Sequence, residues 1–217
     1  MRILTPLEAR VLGVLVEKRA TVPDTYPLSL NALVAGCNQK TARAPVIEAT
    51  EAEVLSAVDG LKSLSLAFEG SGARVVRYEH NLGRVLGLPG QSVALLAVLM
   101  LRGPQTAAEL RLNCERLHRF ADISSVEGFL DELAGKDAPL VLRLARAPGA
   151  RESRWAHLLC GEVADAAPVA SGGMGESAVA IGELAALKAE VSRQSDRIER
   201  LQATVDRLVA ELGLAAD

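Results

Sequence analysis

Residues 27–64 read PLSLNALVAGCNQKTARAPVIEATEAEVLSAVDGLKSL. Leu28, Leu30, Leu33, Val34 and Cys37 are the apolar positions of one short amphipathic helix. Val54, Leu55, Val58, Leu61 and Leu64 recur at three- and four-residue spacing, which places them on one face of a second helix. Thr50-Glu51-Ala52-Glu53 fits a capping box for that helix, with the Thr50 hydroxyl accepting from a free backbone N–H and Glu53 reaching back. Helix, polar turn and helix make the helix-turn-helix pattern, and the pattern returns later in the chain.

Outward from this stretch, Thr5-Pro6-Leu7-Glu8 combines a capping box with proline at the first helical position. The apolar face of that first helix runs through Val11, Leu12, Leu15 and Val16, and Lys18 and Arg19 suit its C-terminal end. Thr21–Pro27, with two prolines, reads as an extended connector. After Ser65 the period changes to two. Leu66 and Phe68 alternate with Ala67 and Glu69, Gly70-Ser71-Gly72 forms a tip, and Val76, Tyr78 and His80 alternate on the return. Three helices followed by a hairpin is the order of a winged helix-turn-helix domain, the hairpin being the wing.

The second half repeats that order. Ser92 is expected to cap a helix through Leu101, stopped by Gly103-Pro104. Thr106-Ala107-Ala108-Glu109 opens a helix with Leu110, Leu112 and Leu117, and Ser124-Ser125-Val126-Glu127 opens one with Val126, Phe129, Leu130 and Leu133. Leu140, Leu142 and Leu144 alternate, Pro148-Gly149 turns the chain, and Trp155, His157 and Leu159 alternate back. Residues 164–180, rich in Ala, Gly, Ser and Pro, read as a flexible linker. Beyond it Leu184, Val191, Ile198, Val205 and Leu212 occupy a positions of a heptad seam, and Leu187, Leu201 and Leu208 occupy d positions, with Gln194 the one polar d residue. β-Branched a residues with leucine at d favour a two-stranded parallel coiled coil. The rival is a helix folded back on the globular part. The expected fold class is mainly α with small β-hairpins (α+β): two tandem winged helix-turn-helix domains, residues 1–86 and 91–163, the linker, and a coiled coil at 181–213.

With 49% apolar residues but one Trp, two Tyr and three Phe, the cores must be aliphatic. The net charge of −3 offers no bulk attraction to nucleic acid or membrane, yet residues 1–165 hold 19 basic and 19 acidic side chains, so the deficit lies in the tail. Cys37, Cys114 and Cys160 form neither a disulfide framework nor a zinc motif and read as ordinary thiols of a reducing cytoplasm. The N-terminus lacks a signal-peptide apolar region, and the longest apolar run, Val93–Leu101, is too short to span a bilayer.

The segment Thr21–Val46, TVPDTYPLSLNALVAGCNQKTARAPV, resembles the signature of the YceH-like family of bacterial proteins. The stretches LRGPQTAAELR (101–111) and PGARESRWAHLLCGEV (148–163) resemble it too, as does the coiled-coil ending. The resemblance implies tandem winged-helix domains. It carries no catalytic residues, because the family is largely uncharacterised.

No HExxH, P-loop or GxSxG occurs, and His80, His118 and His157 are far apart in sequence, so no enzyme activity, metal or cofactor is expected. A winged helix ordinarily places its third helix in the major groove of densely anionic DNA. Here that helix is acidic in both copies: Glu51, Glu53 and Asp59 against Lys62, then Glu127, Asp131 and Glu132 against Lys136. Positive charge lies instead at Lys40, Arg43, Arg74 and Arg77, and in the second copy at Arg111, Arg116, Arg119, Arg143, Arg146, Arg151 and Arg154. These arginines either touch phosphate or pair with nearby carboxylates. In the loop Asn38-Gln39-Lys40-Thr41-x-Arg43, Asn and Gln can read adenine edges and Lys, Thr and Arg can hold phosphate. Alternatively Asn38 caps its helix and Thr41 satisfies the turn. The expected function is therefore a cytoplasmic, dimeric, DNA-associated regulatory protein of low sequence specificity. The alternative is a protein–protein adaptor like the dimeric winged-helix subunits of bacterial chromosome-condensing complexes, an analogy of fold and charge.

Overall fold

Nine consecutive residues of the first helix, Glu8 to Val16, are buried, so α1 (Pro6–Thr21) is covered on every side rather than along one stripe. A computed structural model of the chain shows what covers it, describing residues 2–70, 75–146 and 152–163. Helices α2 (Leu30–Cys37) and α3 (Glu51–Ser63) pack on one side of α1, and α5 (Gly90–Arg102) packs along the other. Helix α5 is buried from Ser92 to Leu101. The remaining elements are β1 (Leu28–Ser29), β2 (Ala67–Gly70), β3 (Arg77–His80), α4 (Leu82–Leu86), α6 (Ala107–Asn113), α7 (Ile123–Ala134), β4 (Val141–Arg143) and β5 (Trp155–His157). The architecture is thus mixed α/β and mostly helical, with seven α-helices and small antiparallel sheets among the described residues.

The element order is repeated. In the first half, β1 joins the β2–β3 hairpin in a sheet of order β1-β3-β2, with Leu28 opposite Tyr78 and Ala67 opposite His80. In the second, Val141 stands opposite His157 in the β4–β5 hairpin, and Gln105 bridges Trp155 where β1 has its counterpart. The apolar core does not stop between the halves. It runs from Leu4 through Leu159, and all described residues belong to one compact unit. The expected boundary at residues 86–91 falls at the end of α4, where Gly87 adopts a left-handed conformation (φ 60°), but the core is continuous past it.

Close approach to α1 selects glycine twice. A Cβ at Gly36 of α2 would stand 2.6 Å from a Val14 methyl, and one at Gly60 of α3 would stand 2.0 Å from the Glu8 carboxylate. That carboxylate is itself buried. It accepts from Arg2 Nη1 at 2.8 Å and from the Thr5 backbone N–H at 2.8 Å, and the bonds from Arg2 hold it below the usual carboxylate range.

Several local expectations shift. The connector 21–27 contains a 3-10 turn at Pro23–Thr25 and leads into β1, so Leu28 packs from a strand rather than a helix. In β2 the inward residue is Ala67 and Phe68 is 41% exposed. Leu66 is still engaged in the end of α3, its N–H donating to Leu61 O, so the strand alternation starts one residue later than the apolar pattern suggests. In β4 the inward residue is Val141 while Leu142 is 45% exposed. The run Leu140-Val141-Leu142 is apolar throughout, so alternation cannot choose its inner face. Helix α5 starts at Gly90 with Pro89 as its N-cap and Ser92 buried inside the first turn. Helix α7 is capped by Asp122, whose carboxylate accepts from the Ser125 N–H at 2.7 Å, and not by Ser124. The linker 164–180 and the coiled-coil positions Leu184, Leu187, Val191, Ile198, Leu201, Val205, Leu208 and Leu212 lie outside the described residues.

Candidate functional site

The loop between α2 and α3 carries the residues expected to touch a ligand, and its geometry turns most of them inward. Asn38 closes α2, its N–H donating to Val34 O. Its side-chain amide then clasps the far end of the loop, donating to Ala49 O at 2.8 Å and accepting from Ala49 N–H at 2.8 Å. Arg43 has a fully buried side chain. Its Nη2 donates to Glu17 of α1 at 2.6 Å, its Nε to Gly36 O at 3.1 Å, and its Nη1 to Ala42 O at 2.8 Å. Arg10 of α1 donates to Cys37 O at 3.2 Å and Pro45 O at 2.6 Å, and the Ala44 N–H donates to Leu101 O at the end of α5 at 2.8 Å. Two buried guanidiniums thus satisfy the buried carbonyls of Gly36 and Cys37 at the end of α2 and the part-buried ones of Ala42 and Pro45 in the loop.

Arg43 is accordingly a bracing residue, which corrects the expectation that it meets a ligand. Gln39 is half-buried and accepts from Lys18 and from Arg43, both at 3.3 Å. Of the five expected residues in this loop, only Lys40 and Thr41 face solvent. Arg77 is also engaged, donating to Thr25 O at 3.2 Å and Pro27 O at 2.8 Å, so it ties the hairpin to the connector. Arg74 and Arg151 lie outside the described residues.

The surface arginines of the second half behave differently. Arg116 and Arg119 after α6, and Arg143, Arg146 and Arg154 on the β4–β5 hairpin, are exposed, and none forms an ion pair among the described residues. Arg143 lies over the Trp155 ring at 5.7 Å from its centroid. Every ion pair among the described residues belongs to the first half: Arg2–Glu8, Glu17 with Lys18 and Arg43, and Lys62 with Asp59 and Glu69. The α3 carboxylates Glu51, Glu53 and Asp59 face solvent, as do Asp131 and Glu132 of α7. The signs of charge on these helices therefore remain on the surface as the sequence places them.

The titratable interior offers little chemistry. Burial holds His80 and His157, on equivalent return strands, down at about 4, and each has a buried Nδ1 without a hydrogen-bond partner. Burial pushes the Cys37 and Cys114 thiols up to about 12, which withholds the nucleophilic thiolate. Among the described residues no group of three or more His, Cys, Asp or Glu could hold a metal ion, and no helix is long and apolar enough to cross a membrane.

Sequence reasoning missed a groove of about 840 Å³ where the halves meet, lined by Arg19, Tyr26, His80, Arg84 and Val93 among others. Its walls come from positions 16 to 117, with no local spacing to betray them.

Comparison with known proteins places the chain among relatives without an assigned activity. The family described as "Protein of unknown function, DUF480" matches residues 4–150. A UPF0502 protein of Burkholderia multivorans is 67% identical over 217 residues, covering 100% of this chain and 92% of its own length. A UPF0502 protein of Burkholderia cenocepacia is 66% identical over 219 residues, with 100% and 92% covered. One of Paraburkholderia xenovorans is 66% identical over 216 residues, with 100% and 91% covered.

Proposed function

The chain belongs to the DUF480 family, whose description assigns no function, and from its own geometry we propose a non-enzymatic, DNA-associated regulatory protein built from two tandem winged-helix units. The repeated order of helix, short strand, two helices and hairpin supports the winged-helix reading. It acts as a dimer paired in parallel through residues 181–213, in the cytoplasm, and grips duplex DNA with low sequence specificity. The observation that carries this reading is the contrast between halves. The cations of the first half are largely spent on carboxylates and carbonyls, whereas Arg116, Arg119, Arg143, Arg146 and Arg154 stand exposed without ion pairs among the described residues. Phosphate contact then comes from the second wing and the α6–α7 turn, not from the acidic α3 or α7.

Binding to random duplex DNA across a salt series tests it. Each phosphate contact contributes about −0.9 to the slope of log K against log salt. Replacing Arg143, Arg146 and Arg154 with Gln should flatten that slope by about two to three, while Lys40→Ala should flatten it by at most about one. The exposed Glu51, Glu53 and Asp59 favour one second reading, an adaptor for a protein partner. Absence of DNA binding at low salt would select it. Deletion from Leu184 onward should convert a dimer to a monomer in light scattering.

A further inference from the structure

The groove between the halves is bounded by the last turn of α1, the connector at Tyr26–Pro27, the β2–β3 hairpin, α4 and the start of α5. Its volume, about 840 Å³, lies in the range of small-molecule sites. The groove is open to solvent and its lining is mixed, with apolar and polar surface in nearly equal parts. Val93, Leu88 and Leu117 contribute aliphatic surface, and Tyr26 and His80 meet edge to face with ring centroids 6.4 Å apart. The Tyr26 hydroxyl is already occupied, accepting from the His80 backbone N–H at 2.8 Å. Phe68, 41% exposed, stands at the edge with its ring turned out of the core.

The charges of the groove are asymmetric. Arg19 and Arg84 are exposed and form no ion pair among the described residues, and Glu79 is the one carboxylate in the lining. Burial is the main reason the His80 ring stays neutral, and the positive charge of Arg19 adds to it; burial likewise pushes the Tyr26 hydroxyl up to about 12. Two cations against one anion leave an excess of one positive charge, which suits a monoanion rather than a polyphosphate. An aromatic body matches the ring-rich wall, and a carboxylate matches the guanidinium fork.

We propose that this groove binds a small aromatic carboxylate, its ring against Tyr26, His80 and Val93 and its carboxylate on Arg19 and Arg84. Such a ligand touches both halves at once, and the site is separate from the surface arginines assigned to DNA.

The test uses the full chain without DNA, so it stands or falls apart from the DNA reading. Benzoate, phenylacetate and naphthoate are titrated by calorimetry, with naphthamide as the neutral shape match, while the His80 ring is followed by NMR. At least one carboxylate should bind saturably, one per chain, and shift the His80 ring signals. Naphthamide, and the Arg19→Gln or Arg84→Gln variants, should bind about tenfold more weakly through loss of charge-assisted bonds. Arg146→Gln, outside the groove, should bind unchanged. No saturable binding by any of the three acids would overturn the proposal. So would equal affinity for naphthamide, or unchanged affinity in both Arg19→Gln and Arg84→Gln.

Discussion

Arg43 and Lys40 sit three positions apart in one loop and have opposite fates. The Arg43 side chain is wholly buried against Glu17, so removing it leaves that largely buried carboxylate with only the longer Lys18 contact at 3.5 Å and frees the Gly36 carbonyl. Arg43→Ala should destabilise the fold by about 3 kcal/mol, as for other broken buried pairs. Lys40→Ala should stay within about 0.5 kcal/mol, both read by urea unfolding. The two buried histidines give the fold a pH signature. His80 and His157 titrate near 4 when folded but near 6.5 when exposed, so the unfolded chain binds more protons between those values. Stability is full above about pH 6.5 and declines as pH falls toward 4, by about 2 kcal/mol per histidine by about pH 5. In His157→Phe, the fall between pH 7 and about pH 5 should be shallower by about that amount.

Helix starts show which local signals are strong. Thr5, Thr50 and Thr106 each complete a capping box with a glutamate three residues on, as the sequence pattern anticipates. At α7 the box belongs to Asp122 and Ser125 instead. Ser124-x-x-Glu127 satisfies the same pattern, and two overlapping candidates cannot be ranked without knowing where the chain enters the helix. Asp122→Ala should cost about 1 kcal/mol in thermal or urea unfolding, and Ser124→Ala only a few tenths. Strand faces were harder to read. The described β-strands have two to four residues, too few alternations to outvote a one-residue shift such as those at Ala67 and Val141.

At the scale of the molecule, α1 and α5 are the joint. Each opens one copy of the repeat, and each is buried nearly all round because it lies against the other. The halves therefore lack separate cores. Residues 1–86 produced alone would expose the α1 surface that α5 covers, and should show no cooperative unfolding transition. In the full chain, fluorescence of Trp155, the single tryptophan, and far-ultraviolet dichroism should report one coincident transition. Two separated transitions would mean that the halves fold independently.

The helices other than α4, their threonine caps, the repeated order of elements and the acidic third helices were legible in the residues, because they depend on neighbours three or four positions away. The all-round burial of α1, the inward turn of Arg43 and the groove at Arg19, His80 and Arg84 were not. Each depends on pieces far apart in the chain, as in the approach of Leu101 to the loop at Ala44, and periodicity along one segment carries no information about what packs across it.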